Sequence, residues 1–396
     1  MVILYILVVF YAIVIGFFAY DFYRKRPVAD KVPLSFVIPC YNDGDTIEQT
    51  IKGIYDSYDH DLLELIVVND KSTDNSAENM ELLQKKYHFT VINNPENRGK
   101  AASINHALEY VQHDIMVVID ADTIINPRAL WDMLARFQFD EKVGGVSCYY
   151  IPANKWIIPS MLAIEYHMLA LIQWAYNVWS TISLRWWCMA VKTAACREVG
   201  GYSINAIVED MDMAFKLNEH GRRVEQSHIG VRSHVPDTFL VWIKQKMRRN
   251  SGGFQCFSKH WRVWIKNPIH VLFTFLVNGL FLTMSYGLYK QLLSFEVVRQ
   301  LFVNLIDIMT LRKSIVLIVG MYAQSILAAF STKIGYTIFS LPYVFPYMKR
   351  RSTLRKVLLV IPFSWIYVPI FSILGVFGML RGVYRTYELR DGRRAW

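Results

Sequence analysis

A mainly parallel α/β domain set between membrane-spanning helices is the fold class this sequence predicts. Three observations predict it. Between about Pro33 and Pro236, short apolar runs alternate with segments of helical spacing, the pattern of βαβ units. Outside that block lie four stretches of about 20 residues without a charged side chain, each able to cross ~30 Å of hydrocarbon. The composition agrees: of 396 residues 53% are hydrophobic and 14% aromatic. Only 19% are charged, below the roughly one quarter usual in soluble domains. This balance excludes a disordered chain, a coiled coil and a small disulfide scaffold.

The first apolar stretch runs from Met1 to Tyr20 and is followed by Asp21, Arg24, Lys25 and Arg26. A cleaved signal peptide carries its positive charge ahead of the apolar run. Residues 1–20 therefore read as an uncleaved transmembrane helix, and the basic flank puts its C-terminal end in the cytoplasm.

Residues 33–236 read as a cytoplasmic catalytic domain. Strands are expected at Leu34–Pro39, Leu63–Val68, Phe89–Asn93 and Ile115–Ile119, with helices at Thr46–Tyr55, Ser76–Tyr87 and Ala101–Val111. Ligands of such sheets sit beyond the carboxyl ends of the strands. The polar residues gather there: Tyr41-Asn42-Asp43, Asn69-Asp70 and Asp120-Ala121-Asp122.

Residues 237–266 read as a basic amphipathic interface segment, with seven Lys/Arg and no acid from Val241 to Lys266. Residues 267–380 read as a C-terminal membrane region. Its spans are Ile269–Tyr289, Ser314–Thr332 and Val357–Leu380, with a shorter fourth element at Ile334–Met348. Residues 381–396 form a basic tail that includes Arg381, Arg385 and Arg390.

The formal net charge is +10. The basic residues cluster beside apolar runs, as cytoplasmic flanks of membrane helices do, and no nucleic-acid motif is present, so nucleic acid is not an expected partner. The five cysteines are odd in number and form no CxxC, which points to free thiols in a reducing compartment.

Several short motifs carry chemistry. Asp120 and Asp122 directly follow an apolar strand, so their carboxylates can converge on one Mg²⁺ or Mn²⁺; a solvated turn, with an Asp capping the helix at Pro127, is the alternative. Asp70 ends a strand and can hydrogen-bond a base or ribose, or cap the turn through Asp74. Asn97-Arg98-Gly99-Lys100 opens a helix and favours phosphate, although Asn94 stands where a P-loop needs its first Gly. Glu209-Asp210 precedes an amphipathic helix. An acid there can act as a general base or simply favour the helix N-terminus. Gln245 to Arg249 lies in the basic segment and reads either as an acceptor site or as a lipid-facing helix.

Taken together, these pieces resemble an inverting family 2 glycosyltransferase with the GT-A fold. The matching segments, in order, are Ile38-Pro39-Cys40-Tyr41-Asn42, Val68 to Ser76, Glu96 to Ala101, Asp120-Ala121-Asp122-Thr123, Val199-Gly200-Gly201-Tyr202, Glu209-Asp210 and Gln245-Lys246-Met247-Arg248. They cover about Phe36 to Lys259. The membrane layout is similar to that of hyaluronan, cellulose and poly-N-acetylglucosamine synthases, and the segments around Lys100 and Asp122 most resemble bacterial poly-β-1,6-N-acetylglucosamine synthases.

The resemblance implies the following roles. Tyr41, Asn42, Asp43 and Asp70 would hold the nucleoside, with Arg98, Lys100 and Asp120 at its phosphates. Asp122, with Asp120, would bind Mg²⁺ or Mn²⁺. Asp210 would be the catalytic base. Glu209, Gln245, Arg248 and Arg249 would line the acceptor site; Trp186 and Trp187 would either line it too or lie at the membrane surface. The activity implied is metal-assisted, inverting transfer from a UDP-sugar, with UDP-N-acetylglucosamine the first expectation, to a growing β-linked polysaccharide. Transfer of one or a few sugars to a lipid acceptor is the alternative, and a non-catalytic sugar-nucleotide-binding subunit a further one. The implied partners are membrane lipid, a glycan or lipid-linked acceptor, and an accessory membrane subunit. The implied location is a bacterial-type plasma membrane. The family pattern is Gln-x-x-Arg-Trp, and here Arg249 stands at the Trp position.

Overall fold

A computed structural model describes residues 2–24, 26, 28–181 and 188–266, with 374, 377–378 and 381–382 near the C-terminus. The chain divides into two units, Met1–His270 with Gly378–Trp396, and Val271–Phe377. The expected late spans and the fourth element lie outside the described residues, apart from Leu374, Phe377 and Gly378.

The first unit opens with helix α1 (Val2–Tyr23) and then alternates strands and helices. These are β1 (Leu34–Cys40), α2 (Ile47–Tyr55), β2 (Leu63–Asn69), α3 (Ser76–Gln84), β3 (Thr90–Asn93), α4 (Lys100–Leu108) and β4 (Ile115–Ile119). All four strands were legible to within a residue or so. The two later helices stop three residues short of the expected ends, where the chain tightens into turns at Lys85–Tyr87 and Glu109–Val111. β4 is buried at every position and β1 at all but one, as strands covered on both faces must be.

After β4 come β5 (Thr123–Ile124), α5 (Pro127–Phe139), β6 (Val143–Ser147), β7 (Tyr150–Pro152) and α6 (Ile157–Tyr176). They are followed by β8 (Cys188–Lys192), α7 (Thr193–Glu198), α8 (Glu209–Glu219), β9 (Arg223–Gln226) and β10 (Val231–Ser233). Helices α9 (Phe239–Lys259) and α10 (Trp261–Lys266) follow. Seven strands form one sheet in the order β3-β2-β1-β4-β8-β6-β9, parallel except where β8 runs against β4 and β6. Strand order reverses between β1 and β4, so a crevice opens at their carboxyl ends. A small second sheet, β5-β10-β7, lies after β4 and carries Ser233 back to the end of the Asp120-Ala121-Asp122 turn.

Asn126, not an aspartate, caps α5: its side chain accepts from the Arg128 N–H at 3.1 Å, and Pro127 occupies the first helical position. The capping reading of Asp122 therefore fails. The apolar cluster under the crevice joins Val37, Val118, Ile104, Val191 and Leu217 across both halves of the sheet. All five cysteines are buried free thiols.

α1 is helical through the charge-free N-terminal stretch. Among the described residues one helix, α6, is long and apolar enough to cross a membrane by length and composition, and 65% of its apolar window is buried within the protein. Outside the crevice, the end of α1 joins the domain through buried charges. Asp21 pairs with Arg26, and Arg136 of α5 lies 2.9 Å from Glu225 of β9 and 3.7 Å from Asp21.

Candidate active site

The crevice opens into a cavity of about 880 Å³, near the upper end of the ~300–1,000 Å³ typical of ligand pockets. Tyr41, Asp43, Asp70, Lys100, Asp120, Asp122, Glu209, Asp210, Gln245, Arg248 and Arg249 all line it, from segments up to 208 residues apart. Asn42 and Arg98 do not line it. Asn42 adopts φ 58°, and its side-chain oxygen accepts from the Thr73 N–H at 2.7 Å, so it shapes the turn after β1. Trp186 and Trp187 lie outside the described residues.

Asp70, 3% exposed, braces a loop. Its Oδ1 accepts from the Arg98 N–H at 2.9 Å and from Asn94 Nδ2 at 2.7 Å, and its Oδ2 accepts from the Gly99 N–H at 2.8 Å. Gly99 has φ 83°, a conformation glycine adopts without a Cβ penalty, and this turns the chain so that Lys100 starts α4 facing the cavity.

Lys100 Nζ lies 2.5 Å from Asp120 and 3.4 Å from Glu209. Burial pulls its pKa down, but Asp120 and Glu209 outweigh that and hold it protonated, above the usual lysine range. Burial likewise opposes ionisation of Glu209, and Lys100 reverses this, leaving the carboxyl below its ordinary value.

Asp43 and Asp122 behave in the opposite way. Burial, reinforced by the charge of Asp120, pushes the Asp122 carboxyl up to about 6. Asp43 is raised by burial and by Asp120. Asp122 Oδ1 accepts from Ser233 Oγ and Thr123 Oγ1, each at 3.2 Å. Three carboxylates thus crowd one end of the cavity with a single ammonium beside them.

A divalent cation fits this donor set: the oxygens are hard, and the crowded charge is what a cation would relieve. Among the described residues no group of three or more His, Cys, Asp or Glu gathers as a metal site. Two carboxylates plus substrate phosphates are a common Mg²⁺ arrangement.

Asp210 is 7% exposed and opens α8, where its Oδ1 accepts from the Met211 N–H at 2.6 Å. Two residues on, Asp212 ties α8 to the helices behind it. Its carboxylate accepts from Lys259 Nζ at 2.6 Å and lies 3.0 Å from His260 Nε2; Ser203 also donates to it. Burial opposes ionisation of Asp212, but the His260 and Lys259 contacts draw its pKa down to about 2.

At the far end stands α9. Arg248 donates to the Ile207 carbonyl at 3.1 Å, and Lys246 is buried against Glu165 of α6 at 2.6 Å. Gly252 permits this packing, since a Cβ there would meet Val208 at 2.1 Å. The cavity also contains His234, Lys244 and Arg381, which sequence reasoning did not assign to it. Lys244 adjoins the motif Gln245–Arg249 and was within reach of that reading. His234 and Arg381 had no local signal.

Residues 35–197 match the description "Glycosyl transferase family 2". The chain is 28% identical over 259 residues to poly-beta-1,6-N-acetyl-D-glucosamine synthase of Staphylococcus aureus, covering 63% of each protein. The synthase of the same name from Staphylococcus epidermidis is 25% identical over 256 residues, covering 61% of this chain and 62% of that one. The match thus spans less than two thirds of these relatives' length. Among solved structures, a mannosyltransferase from Pyrobaculum calidifontis in complex with GDP-Man and Mn²⁺ aligns over 98% of both chains with a TM-score of 0.59 and 17% identity. That likeness establishes the GT-A type of fold.

Proposed function

We propose, from the premise that residues 35–197 are a family 2 glycosyltransferase domain, that this chain transfers a sugar from a UDP-sugar to a growing β-linked polysaccharide with inversion. UDP-N-acetylglucosamine is the donor we favour, given the named activity of the staphylococcal relatives. One observation carries the reading. The carboxylates that end β4 and those that open α8 face one cavity and share Lys100, at 2.5 Å from Asp120 and 3.4 Å from Glu209.

In this reading Asp120 and Asp122 hold Mg²⁺ or Mn²⁺, a choice supported by the Mn²⁺ of the mannosyltransferase neighbour. When bound, the cation neutralises charge on the departing diphosphate. Lys100 supports the same phosphates, and Asp70 keeps its loop in register. Tyr41, 47% exposed at the rim, offers a ring for the base to stack on. Asp210 accepts the proton of the attacking acceptor hydroxyl, assistance worth ~10²–10⁴-fold. The hydroxyl oxygen bonds to the anomeric carbon as the bond to the phosphate oxygen breaks, so no covalent enzyme intermediate forms.

We place the domain on the cytoplasmic face of a membrane, anchored by residues 1–20 and 267–380. The charge-free helix α1 and the basic residues after it support this. A second reading, transfer of one or a few sugars to a lipid-linked acceptor, is favoured by Arg249, a charged side chain at the Trp position of the pattern Gln-x-x-Arg-Trp.

The test is nucleoside diphosphate release by the purified full chain across a panel of UDP-sugars with Mg²⁺ or Mn²⁺, followed by sizing of the product. A polymer from one donor supports the first reading. A single sugar on lipid supports the second. UDP binding without turnover by any donor, in the presence of membrane lipid, would sink both.

A further inference from the structure

We infer that Lys100 is a mobile counter-ion: it neutralises Asp120 while no divalent cation is bound, and Glu209 is the positioning residue that receives its ammonium once a cation takes Asp120. The inference rests on the transferase reading above and adds how the cavity is loaded.

Lys100 and a divalent cation compete for one carboxylate. Lys100 Nζ lies 2.5 Å from Asp120 Oδ1. Mg²⁺ takes carboxylate oxygens at ~2.0–2.1 Å. Two positive charges held that closely on one carboxylate repel strongly, more so where water is partly excluded. Asp122 is held differently. The hydroxyls of Ser233 and Thr123 donate to it, each at 3.2 Å, and neither carries a charge. Of the two carboxylates after β4, Asp120 is the one with a cation of the chain to give up.

This pair also differs from the ion pairs that hold the fold. Lys246 with Glu165, and Arg136 with Glu225, are sealed from solvent. The Lys100 and Asp120 side chains are 31% and 26% exposed, and both residues line the cavity. An ion pair open to solvent adds little to stability, so replacing it costs the fold little.

Glu209 is placed to take the ammonium, at 3.4 Å from Lys100 Nζ. An approach closer by about 0.6 Å gives the ~2.8 Å of a charge-assisted hydrogen bond. Only the lysine side chain has to move. Asp70 pins the backbone ahead of it by accepting from the Arg98 and Gly99 N–H groups, at 2.9 and 2.8 Å. Asp212 ties α8, which Glu209 opens, to Lys259 at 2.6 Å and to His260 at 3.0 Å. Between these two fixed points lies the flexible four-carbon stem of a lysine.

The exchange makes and breaks no covalent bond. A charge of +2 replaces +1 at Asp120, and the displaced +1 goes to Glu209. From there Lys100 still faces the cavity, where the reading above has it support the donor phosphates. Without Glu209 the ammonium loses that second partner and competes harder for Asp120.

The test is Mn²⁺ binding by the purified full chain without nucleotide, read as loss of the free-ion signal in electron paramagnetic resonance. Lys100→Gln should bind Mn²⁺ about fivefold more tightly than wild type, the scale of one partly exposed ion pair. Lys100→Met keeps the apolar stem and gives the same reading should the amide variant not fold. Lys100→Arg keeps the charge and should return the affinity to within about twofold of wild type. Glu209→Gln should weaken Mn²⁺ by about fivefold.

Simple attraction of Mn²⁺ to Glu209 would also weaken that last variant, so the double variant decides. With Lys100→Gln already present, Glu209→Gln should change the affinity by less than about twofold, because no ammonium is left to receive. Equal effects of Glu209→Gln in the two backgrounds overturn the hand-over, since independent charges add. Unchanged or weaker Mn²⁺ binding by both Lys100→Gln and Lys100→Met overturns the competition. Failure of the wild type to bind Mn²⁺ even with saturating UDP overturns the metal-assisted transferase reading instead, and the hand-over falls with it.

Discussion

Two clusters of charge, one lining the cavity and one outside it, are built on different rules. Outside the cavity, Arg26, Arg136 and Arg223 meet Asp21, Asp132, Asp140 and Glu225, with His228 2.8 Å from Asp21, so that each carboxylate has a basic side chain against it. In the cavity, Asp43, Asp120 and Asp122 crowd together, and Lys100 pairs with Asp120. The outer cluster is complete as the chain folds. The cavity cluster is left with surplus negative charge, and Asp43 and Asp122 hold protons more tightly because they are buried and because Asp120 stands beside them. Burial alone therefore does not mark a functional carboxylate here. What marks it is burial without enough of the chain's own counter-charge, a state that a protein keeps only where something else will supply the balance.

The sharpest way to break this contrast is Asp210→Asn. Transfer should fall by about 10²–10⁴-fold while UDP affinity holds, because the lost group acts on the acceptor proton. Turnover near wild type in a single-turnover assay would remove Asp210 from the mechanism. Next is Glu225→Gln in the outer cluster, which leaves Arg136 buried beside a neutral amide. Breaking one partner of a buried pair costs about 3–5 kcal/mol, so the denaturation midpoint should drop clearly.

A third test uses acid. Asp212 titrates near 2 in the folded chain against 3.8 in the reference state. Its contribution is whole above the unfolded value and is lost as pH falls from about 4 through 2. That amounts to about 2 kcal/mol by linkage. Asp212→Asn should flatten that part of the stability profile, and an unchanged profile would mean that His260 and Lys259 do not hold the carboxylate. The smallest effect should be that of Asp122→Asn on folding. Removing one of the crowded charges should leave stability within about 0.5 kcal/mol of wild type or raise it, while transfer collapses. A large loss of stability would erase the distinction between the clusters. Chelation with EDTA belongs with this variant: it should abolish transfer by the wild type and leave the denaturation midpoint nearly unmoved.

Much of the cavity cluster was legible because its parts are local. A carboxylate one residue past a buried apolar strand, as at Asp120, must lie at the sheet's end, and Glu209-Asp210 announces a helix start. The job of Asp70 was less legible. Its oxygens go to the backbone of Arg98 and Gly99, 28 and 29 residues on, and only the fold of β2 beside β1 and β3 brings them together. Asn42 and Arg98 illustrate the converse, since both sit in the right motifs yet shape turns or face outward. His234 reaches the cavity because β10 pairs with β5 across more than 100 residues, a pairing with no trace in either short strand. Arg381 had been counted only among tail charges, and its place depends on Gly378 and Gly382 meeting α9.

The contact of Gly378 and Gly382 with α9 sets the order in which the cavity is completed. The wall bearing Arg249 is made when α9 folds, but its companion arginine is translated more than 130 residues later. A ribosome that has just released α9 from its exit tunnel thus presents a cavity with Asp120, Asp122 and Asp210 in place and one side still open. The pocket is finished only when the two glycines reach α9, at nearly the end of synthesis. A chain stalled or clipped before that point should keep the carboxylate end of the cavity and lack the side that carries Arg381.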